Sequence, residues 1–159
     1  MKGNAQVMAG LQEAINLEAS RKMQYWLDAK DTGRVGLGMA EGLKTMAEQS
    51  GCHMGELIGR LLFLEGAPQI AAAAAVTHNN LESILTDAVA METAMVVRFG
   101  ELCREAWAAG DMSNFHFFQH LCKWHTVGDD KFQGHIAWIQ KKLWQYGKLG
   151  EAGFVQAEV

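Results

Sequence analysis

Apolar residues recur along most of the chain at intervals of three and four, the spacing that gathers them on one face of an α-helix. A first helix is predicted from about Asn4 to Ala29, with Leu11, Ile15, Glu18, Lys22 and Tyr25 along one stripe, and Asp31-Thr32-Gly33 breaks it. A second runs from about Met39 to Glu65 and stops at Gly66-Ala67-Pro68. Glycine takes the left-handed conformation that ends helices, and proline cannot continue one. Asn79-Asn80-Leu81-Glu82 has the form of an N-cap with a capping glutamate, opening a third helix to about Ala109. Gly110 closes it, and Asp111 or Ser113 caps a fourth helix through Trp124. Gly128-Asp129-Asp130 is placed to interrupt that helix before it resumes to about Tyr146, and the tail from Gly147 has room for one short further helix.

Between the second and third helices lie Ala71 to Ala75, uncharged and uncapped, which read as a long crossover. Simple up-and-down bundles have short links throughout. Four long helices with one long link in the middle predict an all-α, ferritin-like four-helix bundle. The 159 residues form a single domain with no internal repeat.

Composition removes several function classes. A formal charge of −4 gives no electrostatic reason to bind nucleic acid. No apolar run is long enough to span a bilayer, and the start MKGNAQVMAG lacks the apolar segment of a signal peptide, so no membrane partner is expected. Cys52, Cys103 and Cys122 are never spaced CxxC and read as reduced thiols of a cytoplasmic protein. No glycine-rich phosphate loop is present, and no nucleophile has a base placed beside it by the sequence.

Glu18, His53, Glu92 and His135 each fall in a different helical segment, which suggests a bundle built around metal. The sequence also resembles bacterioferritins over nearly its whole length. The landmarks are MKGNAQV, Glu18, Gln24-Tyr25, the run from Arg60 to Gly66, Glu92, the run from Gly134 to Trp138, and Lys148-Leu149-Gly150. The resemblance implies a 24-subunit shell storing iron, a di-iron ferroxidase centre inside each bundle, and haem b shared between subunit pairs. That centre takes a carboxylate from each of the first and third helices and a Glu-x-x-His pair from each of the second and fourth.

Glu18, His53, Glu92 and His135 align with four of those ligands. The two bridging glutamates are replaced by Ser50 and Phe132, and neither Glu48 nor Asp129 lies in phase to stand in. An incomplete ferroxidase centre is expected. The fourth helix exceeds the family's by about two turns near His125 to Lys131. If the excess bulges out, His135 faces Glu92. If the helix runs on, His125 does, and His135 lies roughly 10 Å beyond. Either arrangement serves at most one ion, with iron or zinc suited to imidazole and carboxylate. The plainer alternative pairs Glu18 or Glu92 with a histidine, Lys22 or Arg98, since an unpaired buried carboxylate is too costly. Tyr25 faces inward as a redox-active neighbour or as a hydrogen-bonding core residue.

Gly51, Gly55 and Gly59 form a stripe on the second helix, and Gly51 stands where the family has its haem-ligating methionine. A groove there suits close helix packing across a dimer. It also suits haem, with Met23 and Trp26 at pocket positions and Met23 or Cys52 as axial ligand. His116 and His120 share a face outside the bundle. Phe115 to Phe118, Trp107, Trp124, Trp138 and Trp144 read as core and interface, and Cys103 and Cys122 as buried packing. The combined expectation is an iron-storage subunit with a degenerate centre, forming a homo-oligomer between a dimer and a 24-subunit cage, or co-assembling with a competent bacterioferritin subunit. Two rivals are a dimeric haem-binding or electron-transfer protein and a mononuclear metalloenzyme.

Overall fold

A computed structural model describes residues 3–32, 37–126 and 134–158. It contains α1 (Ala5–Thr32), α2 (Leu37–Phe63), α3 (Leu81–Ala108), α4 (Met112–Thr126) and α5 (His135–Glu158). Helix α1 lies against α2, and α3 packs on both α4 and α5, which together supply the fourth arm of the bundle.

The caps follow the sequence closely. Asn4 accepts from the amides of Gln6 and Val7, Asn80 from Ser83, and Asp111, rather than Ser113, from Asn114. Each side-chain oxygen satisfies an amide that the first helical turn leaves unpaired. Gly110, at φ 68°, closes α3 as expected. The fifth helix breaks at Gly150 (φ 64°, ψ 173°), so the short final helix predicted for the tail is present.

Two boundaries differ from expectation. Helix α1 continues through Thr32, whose hydroxyl donates to the Asp28 carbonyl and so keeps the last turn bonded. At the end of α2 the left-handed residue is Glu65 (φ 65°), not Gly66. Gly66 instead donates its amide back to the Leu61 carbonyl, and a Cβ there would collide with the Leu61 side chain. The segment 127–133, with the expected break at Gly128-Asp129-Asp130 and with Phe132, lies outside the described residues.

The crossover is held by a polar ladder on α1. Gln12, Asn16, Ser20 and Gln24, spaced by four and so on one face, accept from the amides of Gln69, Ala71, Ala73 and Val76. Gln12 and Gln24 also donate to the carbonyls of Gln69 and Val76. These side chains replace the helical partners that the alanine run would otherwise use.

The core is divided. Val7, Leu11, Leu57, Leu61, Phe99 and Phe118 belong to one apolar cluster; Met39, Leu43, Ile84, Leu85, Ile139 and Phe154 belong to the other. Along α1, α2 and α3 the chain passes from one cluster to the other through a buried polar layer. That layer is the candidate site.

Candidate metal centre

The layer contains Glu18 and Arg21 from α1, Ser50 and His53 from α2, Glu92 from α3, His125 from α4 and His135 from α5, all buried. All five residues expected as metal ligands are therefore brought together. The choice between His125 and His135 does not arise, because both reach Glu92. His125 Nδ1 lies 2.7 Å and His135 Nδ1 3.4 Å from Glu92 Oε2. Helix α4 carries His125, and α5, which begins on His135 after the non-helical Gly134, carries the second histidine.

Arg21 occupies the middle. Its side chain is fully buried and its Nη1 lies 3.3 Å from Glu18 Oε2, while Nε lies 3.1 Å from Glu92 Oε1. Nη1 also sits 2.9 and 3.1 Å from the two ring nitrogens of His125, and Nη2 lies 3.2 Å from His135 Nδ1. Sequence reasoning placed Lys22 on the inward stripe, but Lys22 is exposed and Arg21 is inside. The inward step from Glu18 is three residues, not four. The alternative partner Arg98 is engaged elsewhere, with Glu13, Glu101 and Glu105.

The electrostatics follow from this placement. Burial alone would raise the Glu18 and Glu92 carboxyls, yet Arg21 and the neighbouring histidines hold both well below the usual carboxylate range. Burial works against the charge of Arg21 in the same way, and the two carboxylates keep it charged. Tyr25 donates its hydroxyl to Glu92 Oε1 at 2.5 Å. Burial and that anion push the phenol up, which marks Tyr25 as a neutral donor.

Most of the donor atoms are already used. Gln49 Oε1 lies 2.5 Å from His135 Nε2, so that nitrogen carries the proton and Nδ1 presents its lone pair to Arg21. Burial lowers the His135 pKa, in keeping with a neutral ring. His53 Nδ1 lies 3.2 Å from Glu18 Oε1. Ser50, in the place of one bridging glutamate, faces inward but donates to the Met46 carbonyl of its own helix. Glu18 Oε2 and Arg21 Nε have no aligned hydrogen bond and meet their partners through charge alone.

Among the described residues two groups have ligand geometry: Glu18, His53 and His125, and Glu92, His125 and His135, each with its ligand atoms within 4.8 Å of one another. Their chemistry suits iron or zinc. The guanidinium contradicts that fit, because a dication about 4 Å from it would be repelled by roughly 8 kcal/mol at an effective dielectric near 20. The residues as arranged do not suit a metal ion.

The fold around this centre decides its kinship. Residues 8–141 match the family model described as a ferritin-like domain. The chain belongs to the ferritin-like family. It is 26% identical to a bacterioferritin of Rhodobacter capsulatus, covering 97% of this chain and 92% of that one, and 26% identical to a bacterioferritin of Brucella melitensis, covering 98% and 94%. A solved structure of the Rhodobacter capsulatus bacterioferritin matches at a TM-score of 0.90 and 24% identity, over 100% of this chain and 96% of that one. That protein is described with a metal-free dinuclear site and with haem iron in a crystallographic special position. The bacterioferritin resemblance and the ferritin-like bundle read from the sequence are both borne out.

The glycine stripe of this ferritin-like chain is only partly a groove. Lys22 lies across Gly51, its Nζ 3.2 Å from where a Cβ would stand, whereas Gly55 and Gly59 meet nothing within 4 Å. Trp26, Gly51 and Cys52 line a shallow depression of about 410 Å³ with Lys22 and Lys44. Met23 is exposed and lies outside its lining. His116 and His120 are exposed, as expected. Trp107 and Trp144 are exposed rather than core, and Cys103 and Cys122 are only half-buried. Among the described residues no helix is long and apolar enough to cross a membrane.

Proposed function

We propose that this chain is a bacterioferritin-like subunit of a cytoplasmic iron-storage assembly whose own bundle does not oxidise Fe(II). The observation that carries the reading is Arg21, fully buried between Glu18 and Glu92 where the family resemblance calls for two irons. The loss of a bridging carboxylate at Ser50 supports it. Such a subunit supplies shell and interior surface, as a homo-oligomer or beside a second, competent bacterioferritin subunit that oxidises the iron. The test adds Fe(II) in air to the purified protein and follows ferric absorbance. Oxidation no faster than in buffer is expected, and rapid oxidation of two irons per chain contradicts the reading.

A second reading is a dimer that holds a flat anionic cofactor such as haem b. It is favoured by the depression at Gly51, which Lys22, Lys44, Trp26 and Cys52 line together with Glu48, the ion-pair partner of Lys44. A visible spectrum after haem addition tests it: a Soret band shifted from that of free haem supports it, and an unshifted one rejects it.

A further inference from the structure

We propose that Arg21 is a built-in counter-cation that takes the place of metal in this bundle, with His125 closing the cage around it. This rests on the reading above and names the side chain responsible for it.

Three observations converge on this role. The guanidinium touches both carboxylates and two of the three histidines, so it spans the two ligand groups rather than blocking one. The lone pair of His135 that would bind an ion is directed at Arg21 Nη2. His125 belongs to both groups, 2.7 Å from Glu92 on one side and 3.5 Å from Glu18 on the other. A metal ion neutralises two carboxylates and orients the imidazoles around them. A buried guanidinium with five fixed N–H donors does the same work from inside the chain. The loss of Glu at position 50 alone would leave a poor metal site, whereas Arg21 leaves a filled one.

The consequence is that removing one side chain should uncover a site. Because the two groups share His125, one ion per chain is expected, not two. The experiment compares the wild-type protein with Arg21→Ala and with Arg21→Ala/His125→Ala, each stripped by chelator and dialysed against Zn(II), with metal content read directly. Co(II) provides a second readout through its visible spectrum. Wild type is expected to hold no stoichiometric ion. Arg21→Ala should hold one, at least about thirtyfold more tightly than wild type, the gain expected even at the dielectric of bulk water. The double variant should lose it again.

Metal binding is coupled to folding, so an Arg21→Ala chain that is unfolded without metal should fold when Zn(II) is added. A variant that folds and takes no ion, or that stays unfolded with Zn(II), overturns the proposal. So does a wild-type chain that holds one ion as tightly as the variant. Failure here is separable from failure of the functional reading. Zinc-free Arg21→Ala beside an inert wild type removes only the role of Arg21, whereas rapid Fe(II) oxidation by wild type removes the reading itself.

Discussion

Arg21 Nε stands 3.1 Å from Glu92 Oε1, across the bundle and fully out of solvent. The pair joins α1 to α3 at the level where the two apolar clusters meet, so it is an energetic seam as well as a chemical one. A buried ion pair gains little net stability over apolar packing, but removing one partner leaves an uncompensated charge.

Glu92→Gln keeps the shape of the side chain and removes its charge. It should destabilise the fold by about 3–5 kcal/mol, the range for breaking a buried pair. The midpoint of urea unfolding should fall without a change in slope. An unchanged midpoint would show that Arg21 does not depend on Glu92.

Tyr25→Phe removes a hydroxyl that donates to Glu92 at 2.5 Å. Hydrogen bonds to charged groups contribute about 1.5–3 kcal/mol, and urea denaturation should show a loss of that order. Since Tyr25 is read as a neutral donor, its replacement should leave the rate of Fe(II) oxidation at the buffer level.

The end of the crossover carries a pH-sensitive clasp. His78 bridges Asp28 of α1, 3.1 Å away, and Asp87 of α3, 2.8 Å away. Gln24 also bonds Asp28, and Asp31 and Glu151 line the pocket beside the imidazole. Burial pushes Asp28 up to about 6, with Gln24 and His78 pulling the other way. Burial disfavours the His78 charge, but its bonds to Asp87 and Asp28 raise its pKa.

Both groups thus keep protons in the folded chain that the unfolded chain releases. Such stability is complete below the unfolded pKa and is lost as pH rises through the folded one. The window opens near 3.8 and closes near 6 for Asp28, and lies above 6.5 for His78. Wild-type stability should therefore decline from pH 6 to 8 more steeply than that of His78→Asn. Parallel declines in the two proteins would contradict the clasp.

The ladder on α1 gives a local prediction. Asn16→Ala removes the acceptor of the Ala71 amide. Hydrogen exchange should accelerate around Ala71 while the amides near the centre of α3 stay protected. Faster exchange throughout the chain would mean that the crossover and the bundle open as one unit.

Most of the fold was legible because caps carry it. Asn80, Asp111 and Gly110 are local signals that need no knowledge of tertiary contacts, and the structure uses all three. The α2 ending was harder, because Glu65 takes the left-handed conformation while the neighbouring glycine serves a close approach. In the centre, Glu18 followed from the stripe on α1, while His53 and Glu92 followed from their places in separate helical segments and from the resemblance to bacterioferritins. Arg21 did not, since steps of three and four are equally helical from Glu18 and arginine is ordinarily a surface residue. The available signal was the i, i+3 pairing of Glu18 with Arg21. The paired roles of His125 and His135 escaped because they depend on where two helices meet, which no single periodicity encodes.

In the proposed centre a guanidinium, not metal, balances the buried carboxylates. Crystals of the protein soaked aerobically in Fe(II), with an anomalous difference map at the iron edge, test it most directly. Continuous density for Arg21 between Glu18 and Glu92, with no anomalous peak within the bundle, is expected. An iron peak ligated by Glu18, His53, Glu92, His125 or His135, with Arg21 swung aside, would contradict it.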